Sequence, residues 1–298
     1  MDFKNLDLSK RISPKTIVYL IIPILLLLIV FPVAFQPGQV FVSDYHDTMA
    51  LMMPDMFLAG QPLALWNNAW LTGLPEISSL NTDRFYPFSF PLSFFTQDIF
   101  IVNFILLLNL YIAYLACFKL GSFLVKNEDL LMIFSVAYMF SGILISRVFI
   151  GHISFVYALA WIPLVYYFFL KLCLTSEKPV KNVLGLSLCE TLLFFTGGMY
   201  YVFFCNAILL IFTFYYIATK QIGLKRFISL CGAAALFIFI SGIKLIPNVF
   251  GMQYIQRIDI INPLGDGGLL ENNLAAFVAG TPIDTVFGPY ETMALIGI

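Results

Sequence analysis

Apolar residues run through most of this chain in long blocks, and short polar segments separate the blocks. A helix of roughly 20 apolar residues, rising about 1.5 Å per residue, crosses the hydrocarbon core of a bilayer. The pattern predicts seven transmembrane helices, at residues 17–35, 99–118, 130–148, 154–172, 183–196, 200–218 and 227–246. The fifth block is short and continues into Thr196, Gly197 and Gly198, which predicts an unwound or tightly packed turn at its end.

Two long segments, residues 36–98 and 247–289, interrupt the apolar blocks. One helical face in the first segment is apolar, which predicts an amphipathic helix lying in the membrane interface; it carries Met49, Met52, Met53, Met56 and Phe57. Aromatic residues then predict a belt at headgroup depth, formed by Trp66, Trp70, Phe85, Tyr86 and Phe88. We expect an eighth helix, cut short, at residues 290–298, and hence the front part of a longer protein.

The composition supports a polytopic membrane protein. Hydrophobic residues make up 60% of the chain and charged residues only 11%, whereas about a quarter of the residues of a soluble domain are charged. The five cysteines lie inside apolar runs without metal-type spacing, so we expect small core residues and no disulfide framework. There is no Gly-rich nucleotide-binding loop, and nothing favours a nucleic-acid partner.

Charge is segregated along the chain and predicts its orientation. With residues 1–16 in the cytoplasm, 12 of the 16 Lys and Arg residues fall in predicted cytoplasmic segments, as the positive-inside rule requires. The apolar run 17–35 is as long as a spanning helix and has no small-residue cleavage site, so we expect a retained helix. Eleven of the 17 acidic residues face outward, which favours a functional site on the extracellular face of a cell-membrane protein.

Several stretches together resemble a known family. They are "VSDYHDT", "LALWNNAWLTGLPEISSLNTDRFYPFSF", "SRVFIGHISFVYALAWIPLVYYFF", "FFTGGMYY" and "SGIKLIPNVFGMQYIQR". In these stretches and in their order, the chain resembles the GT-C superfamily of membrane glycosyltransferases, most closely the YfhO-like bacterial membrane proteins. The resemblance implies an all-α GT-C-like core of about seven transmembrane helices, with interfacial helices in a long first outer loop.

The resemblance also implies an activity. A GT-C enzyme transfers a sugar, with inversion, from a polyprenyl-phosphate-linked donor to an acceptor on the outer face; here that acceptor is a cell-wall glycan, a teichoic acid, a lipid or a protein. By this resemblance the catalytic acid is Asp44, with Asp47 as a second candidate, because the chain has these two at i, i+3 instead of an adjacent acidic pair. On the residues alone, Asp44 is alternatively a solvated loop acid and Asp47 an N-cap of the methionine-rich helix.

Four residues on the predicted outer face are candidates for binding the donor phosphate: Arg147, His152, Lys244 and Arg257. Cations retained against the positive-inside bias would be explained by an anionic lipid headgroup. For Arg147 the alternative is a side chain that snorkels to the interface.

The two histidines and Glu190 leave further alternatives open. Asp44, His46, Asp47 and His152 form a candidate divalent-metal set, the alternative being hydrogen-bonded structural histidines. Glu190 lies midway along the fifth predicted span, where a charge costs roughly 2.5 to 3.5 kcal/mol. It is a candidate to hold the cations in place, to mark an ion pathway, or to bond a neighbouring helix in its protonated form.

Three functional hypotheses follow. The leading one is the polyprenyl-phosphate-dependent glycosyltransferase. The second is a transporter or lipid flippase, for which polar groups should run through the middle of several spans, whereas here Glu190 is almost alone. The third is a non-catalytic accessory membrane protein, which should keep its role when Asp44 is neutralised.

Overall fold

The structure is a computed structural model that describes residues 14–35, 66–67, 74–75, 83, 85–88, 100–150, 152–175 and 179–252. Its α-helices are α1 (Pro14–Val30), α2 (Phe100–Leu124), α3 (Glu128–Met139), α4 (Gly142–Ile150), α5 (Ile153–Leu174), α6 (Pro179–Phe195), α7 (Met199–Ala218) and α8 (Leu224–Met252). A short 3₁₀ helix, Pro32–Phe35, follows α1. Two short strands, β1 (Trp66–Asn67) and β2 (Leu74–Pro75), pair antiparallel with Trp66 opposite Pro75.

The prediction of a helical, multi-pass membrane protein is confirmed. Five helical stretches of the described residues are long and apolar enough to cross a membrane: Asn103–Leu124, Glu128–Phe149, Ile153–Leu174, Met199–Ala218 and Leu224–Phe250. The first and fifth predicted spans correspond to α1 and α6, which have 17 residues each. The count of seven spans and the GT-C-like core remain predictions.

The third predicted span contains a break that the apolar pattern does not reveal. α3 ends at Met139 and α4 begins at Gly142, with Phe140 and Ser141 between them. The Ser141 amide donates to Tyr138 O at 3.0 Å, a tighter i−3 bond in place of the i−4 bond of an α-helix. A Ser-Gly pair is a common cause of a sharp helix kink, and here residues 141 and 142 supply it.

α5 is the centre of the bundle. It packs most extensively against α2 and α6, while α3 packs against α2 and α8 packs against α6. Its buried side chains include Tyr157, Trp161 and Phe169, so α5 presents apolar surface on most of its circumference to other helices. α7 and α8 instead expose large apolar side chains such as Phe203 and Phe239, as suits helices in contact with lipid.

Eight of the ten described Lys and Arg residues cluster at one end of the bundle, which we call the lysine end. They are Lys15, Lys119, Lys126, Lys171, Lys181, Lys220, Lys225 and Arg226. Contacts tie helices together there: Lys15 Nζ lies 3.2 Å from the Asp129 carboxylate, and Arg226 donates to Cys173 O at 2.8 Å. We call the opposite end, where α4 ends and α5 begins, the His152 end.

Several predictions fall outside the described residues. They concern the candidate acids Asp44 and Asp47, the candidate ligand His46, the cation Arg257, the interfacial helix, and segments 1–13 and 253–298. These predictions remain predictions.

Candidate functional site at the His152 end

Two of the predicted phosphate-binding residues are in direct contact. Arg147 lies in the last turn of α4, and His152 is the residue that precedes α5. Their side chains meet with Arg147 Nη1 2.7 Å from His152 Nδ1, and the His152 amide donates to Arg147 O at 2.9 Å. This backbone bond spans the junction of α4 and α5 and holds the two side chains close together.

The contact determines which ring nitrogen of His152 carries the proton. A guanidinium group has donors and no acceptor, and it stays protonated in proteins, so Arg147 must donate to Nδ1. An imidazole that accepts at Nδ1 is neutral and carries its proton on Nε2. The contact with Arg147 therefore assigns His152 the neutral tautomer with its proton on Nε2.

Aromatic rings surround this pair. The Arg147 guanidinium lies 5.5 Å from the centre of the Phe155 ring, and the His152 ring lies 5.0 Å from the same ring. Tyr200 and Tyr201, at the start of α7, meet Phe155 edge to face. Phe155 thus connects the Arg147–His152 pair to α7, and a cation beside a ring face is stabilised by about 0.5 to 2 kcal/mol.

Lys244, predicted as a phosphate ligand on the outer face, is buried inside the bundle. Its side chain is 0% exposed, and Nζ donates to Phe194 O at 3.0 Å in the last turn of α6. The same ammonium lies 4.9 Å from the centre of the Phe194 ring, and Asp83 interacts with it electrostatically. A cation at a helix C-terminus is stabilised by the helix dipole, so Lys244 caps α6 from within the bundle.

The turn between α6 and α7 lies between Lys244 and α5. Gly197 has φ 82°, a left-handed conformation that favours glycine, and Thr196 Oγ1 accepts from the Gly198 amide at 3.3 Å. A Cβ atom on Gly198 would lie 2.6 Å from Ala158 Cβ and 3.0 Å from Ser154 O, so the turn packs closely on α5. The predicted tight turn after α6 is confirmed.

The described residues 83 and 85–88 pack on the bundle, and Tyr86 enters it. Tyr86 is fully buried: its hydroxyl donates to Asn109 Oδ1 at 2.5 Å and accepts from Trp161 Nε1 at 2.9 Å. Burial raises the pKa of the Tyr86 hydroxyl above its ordinary range, so the group stays protonated. Asn109 and Trp161 lie about two helical turns from the first residues of α2 and α5, so Tyr86 is enclosed by helices instead of facing lipid, while the predicted aromatic belt at headgroup depth stays a prediction.

This arrangement has a physical reason. Non-helical backbone is tolerated at membrane depth only where protein surrounds it or water lines it. Here Tyr86 stacks on Tyr157 with ring centres 5.1 Å apart, and Phe88 stacks on Trp161 at 6.0 Å. The segment also brings Asp83 within electrostatic range of Lys244.

Glu190 is buried among the helices. It is 5% exposed, and no hydrogen bond or ion pair reaches its carboxyl group from the part of the chain that the structure describes. Its electrostatic neighbours are Cys189 and Cys205, a thiol on the adjacent helix α7. The structure therefore does not join Glu190 to Arg147, His152 or Lys244 through a direct contact.

Sequence reasoning named Arg147 and His152, whose role as phosphate ligands stays a prediction, and it did not point to four other polar groups that the structure brings into the bundle. These groups are Asp83, Tyr86, Asn109 and Trp161. A signal existed for Asn109, since an amide within a spanning helix needs a partner. Among the described residues, no group of three His, Cys, Asp or Glu side chains could hold a metal ion, and the predicted metal set includes residues beyond them.

Comparisons with known proteins add no assignment at this point. No family model, no curated protein and no solved structure matches the chain.

Proposed function

We propose that the chain is a membrane glycosyltransferase of the GT-C type, which transfers a sugar from a polyprenyl-phosphate donor to a hydroxyl acceptor. The observation that carries the proposal is the Arg147–His152 pair at the α4–α5 junction. Guanidinium groups bind phosphate oxygens through paired hydrogen bonds, and the first amides of a helix favour an anion. Arg147, His152 and the start of α5 together offer these groups at one end of the bundle.

The position of this pair suits a lipid-linked phosphate. The lysine end fits the cytoplasmic side under the positive-inside rule, so we expect Arg147 and His152 at the external surface of the bilayer. A polyprenyl phosphate has its chain in the hydrocarbon core and its phosphate at that surface. The aromatic rings of Phe155 and Tyr200 would pack against the part of the polyprenyl chain that lies next to the phosphate.

The proposed reaction is a displacement at the anomeric carbon. The acceptor hydroxyl oxygen forms the new glycosidic bond, the bond from the anomeric carbon to the phosphate oxygen breaks, and the hydroxyl proton passes to the Asp44 carboxylate. The departing polyprenyl phosphate gains negative charge, which Arg147 stabilises while the Nε2–H of His152 donates to a phosphate oxygen. Asp47 is the alternative base, and Arg257 is a further phosphate ligand. A divalent metal, if held by Asp44, His46, Asp47 and His152, would stabilise the same negative charge on the departing phosphate.

Sugar transfer in membranes tests the proposal. Radiolabelled polyprenyl-phosphate sugars are supplied to membranes that contain equal amounts of wild type, Arg147→Ala, His152→Ala or the double variant. We expect each single change to lower transfer at least tenfold and the double variant to lose little more, because the two side chains act as one unit. Lys225→Ala, an exposed change at the lysine end, is the matched control.

The outcome for the two acids completes the test. Loss of transfer with Asp44→Ala but not with Asp47→Ala assigns the base. If Arg147→Ala and His152→Ala transfer as well as Lys225→Ala, the pair does not bind the phosphate and the proposal fails.

A transporter is the second candidate, and Glu190 is the observation that favours it. A carboxyl group buried without a hydrogen-bond partner among the described residues often marks a proton or ion pathway, and the break between α3 and α4 also occurs in transport proteins. This hypothesis predicts that Glu190→Gln abolishes proton-coupled uptake into vesicles. The transferase hypothesis predicts that Glu190→Gln keeps sugar transfer.

A further inference from the structure

One face of α8 is polar and buried, although most of the helix exposes large apolar side chains. Ser241, Lys244 and Asn248 recur at i, i+3 and i+7, so they lie on one face, and each is at most 1% exposed. Phe239, by contrast, is 81% exposed. The polar face is the one that packs against α6, because Lys244 reaches the Phe194 carbonyl there.

The Asn248 side chain has an acceptor atom that no described residue satisfies. Its Nδ2 donates to Lys244 O at 2.6 Å, and a backbone carbonyl can only accept, so this bond fixes which amide atom is which. Oδ1 is consequently directed away from Lys244 O, is buried, and has no hydrogen-bond partner among the residues that the structure describes. A buried acceptor left unsatisfied costs about 1 to 3 kcal/mol, so the fold carries this group at a disadvantage.

The position of Asn248 indicates which kind of donor would hydrogen-bond to its Oδ1 atom. The residue lies one helical turn beyond Lys244, about 6 Å further toward the His152 end. An acceptor needs a donor, and the hydroxyls of a sugar are the donors that the proposed reaction brings to this end of the bundle. Apolar lipid chains have no group that could meet Oδ1.

We infer that Asn248 Oδ1 accepts a hydrogen bond from a sugar hydroxyl of the bound substrate. This inference rests on the proposed function and adds a sugar-binding residue to it. The hydroxyl belongs either to the sugar of the polyprenyl-phosphate donor or to the acceptor glycan. The two sources have the same chemistry and are separated by the experiment.

The test is equilibrium binding to purified protein in nanodiscs, with Asn248→Leu as the variant. The probes are polyprenyl phosphate itself, the polyprenyl-phosphate forms of glucose, galactose and mannose, and the free hexoses. Asn206→Leu is the matched control, because Asn206 makes the same bond to the carbonyl four residues earlier, Val202 O at 3.0 Å, on another helix. Asn248→Ala serves as a second variant if the leucine side chain prevents folding.

We expect Asn248→Leu to weaken binding of a polyprenyl-phosphate hexose roughly five- to thirtyfold, about 1 to 2 kcal/mol, and to leave polyprenyl phosphate binding unchanged. Thermal stability without ligand should stay the same or rise, because the variant removes an unsatisfied acceptor. If a free hexose shows the loss instead of the lipid-linked one, the hydroxyl is that of the acceptor. Asn206→Leu should weaken neither.

Two results overturn the inference. One is equal binding of all probes by Asn248→Leu and Asn206→Leu, and the other is a fall in melting temperature with unchanged hexose binding, as expected if Oδ1 only holds structural water. The binding readout does not need turnover, so sugar-dependent binding without transfer would refute the transferase and keep the inference. If Asn248→Leu transfers sugar as well as wild type, the transferase proposal stands and the inference about Asn248 is refuted.

Discussion

Replacing Tyr86 by Phe should destabilise the bundle measurably, because one hydroxyl satisfies two buried groups. Tyr86→Phe leaves Asn109 Oδ1 without its donor and Trp161 Nε1–H without its acceptor. In soluble proteins each orphaned group costs about 1 to 3 kcal/mol, but hydrogen bonds between membrane helices average about 0.6 and reach about 1.7 kcal/mol. Two bonds at membrane values give an expected loss of about 1 to 3 kcal/mol.

The measurement is reversible unfolding in mixed detergent micelles, followed by tryptophan fluorescence. Tyr215→Phe is the control, since Tyr215 is exposed and contacts Tyr216 only through its ring, and it should stay within about 0.5 kcal/mol of wild type. A double-mutant cycle of Tyr86→Phe with Asn109→Leu isolates one of the two bonds. The coupling energy should be at least about 0.5 kcal/mol.

A loss for Tyr86→Phe no larger than that for Tyr215→Phe would refute this reasoning. It would mean that residues 83–88 do not dock between α2 and α5, or that the partners find other bonds at no cost. A zero coupling energy with a large single-variant loss would instead point to ring packing on Tyr157 as the source of stability.

Three further changes test other parts of the structure by the same unfolding assay. Gly198→Ala should lower the free energy of unfolding by about 1 to 3 kcal/mol, because its Cβ would overlap α5. Gly232→Ala is the control: nothing lies within 4 Å of its Cβ, so it should be neutral or stabilising. Equal effects of the two variants would contradict the close packing of the turn. Lys244→Met should lower the free energy of unfolding by about 1 to 3 kcal/mol, and adding Asp83→Asn should restore part of that loss. If the effects of the two changes simply add, Lys244 and Asp83 do not interact. Glu190→Leu should leave stability unchanged or raise it, and a large loss would reveal a partner for the carboxyl group.

The class of fold was predictable because it depends on local properties. Block length and hydropathy are enough to predict spanning helices, and a Thr-Gly-Gly sequence after an apolar run is enough to predict the turn at Gly197. The break at Ser141 also had a local signal, the Ser-Gly pair within an apolar run. The mean hydropathy of the block does not reveal the break, because two polar or small residues barely change the mean of a long block.

The interior of the site was not predictable in the same way. Tyr86 takes its position from Asn109 and Trp161, which lie 23 and 75 residues away in the chain, and hydropathy contains no information about such pairs. Lys244 was expected on the outer face as a phosphate ligand, and its bond to Phe194 O joins residues 50 apart in the chain, which hydropathy does not reveal either. The i, i+3, i+7 spacing of Ser241, Lys244 and Asn248 was the sequence sign of a buried polar face.

The docking of residues 83–88 also sets an order of assembly. Tyr86 leaves the ribosome before its partner Trp161, which lies 75 residues later, or roughly 4 to 15 seconds of synthesis. Lys244, which interacts with Asp83, follows later still. Until α5 has been made, the Tyr86 hydroxyl can bond to Asn109 but has no indole N–H to accept from. A half-inserted chain would therefore have Tyr86 paired on α2 only, with its second partner and the Asp83–Lys244 interaction still to come.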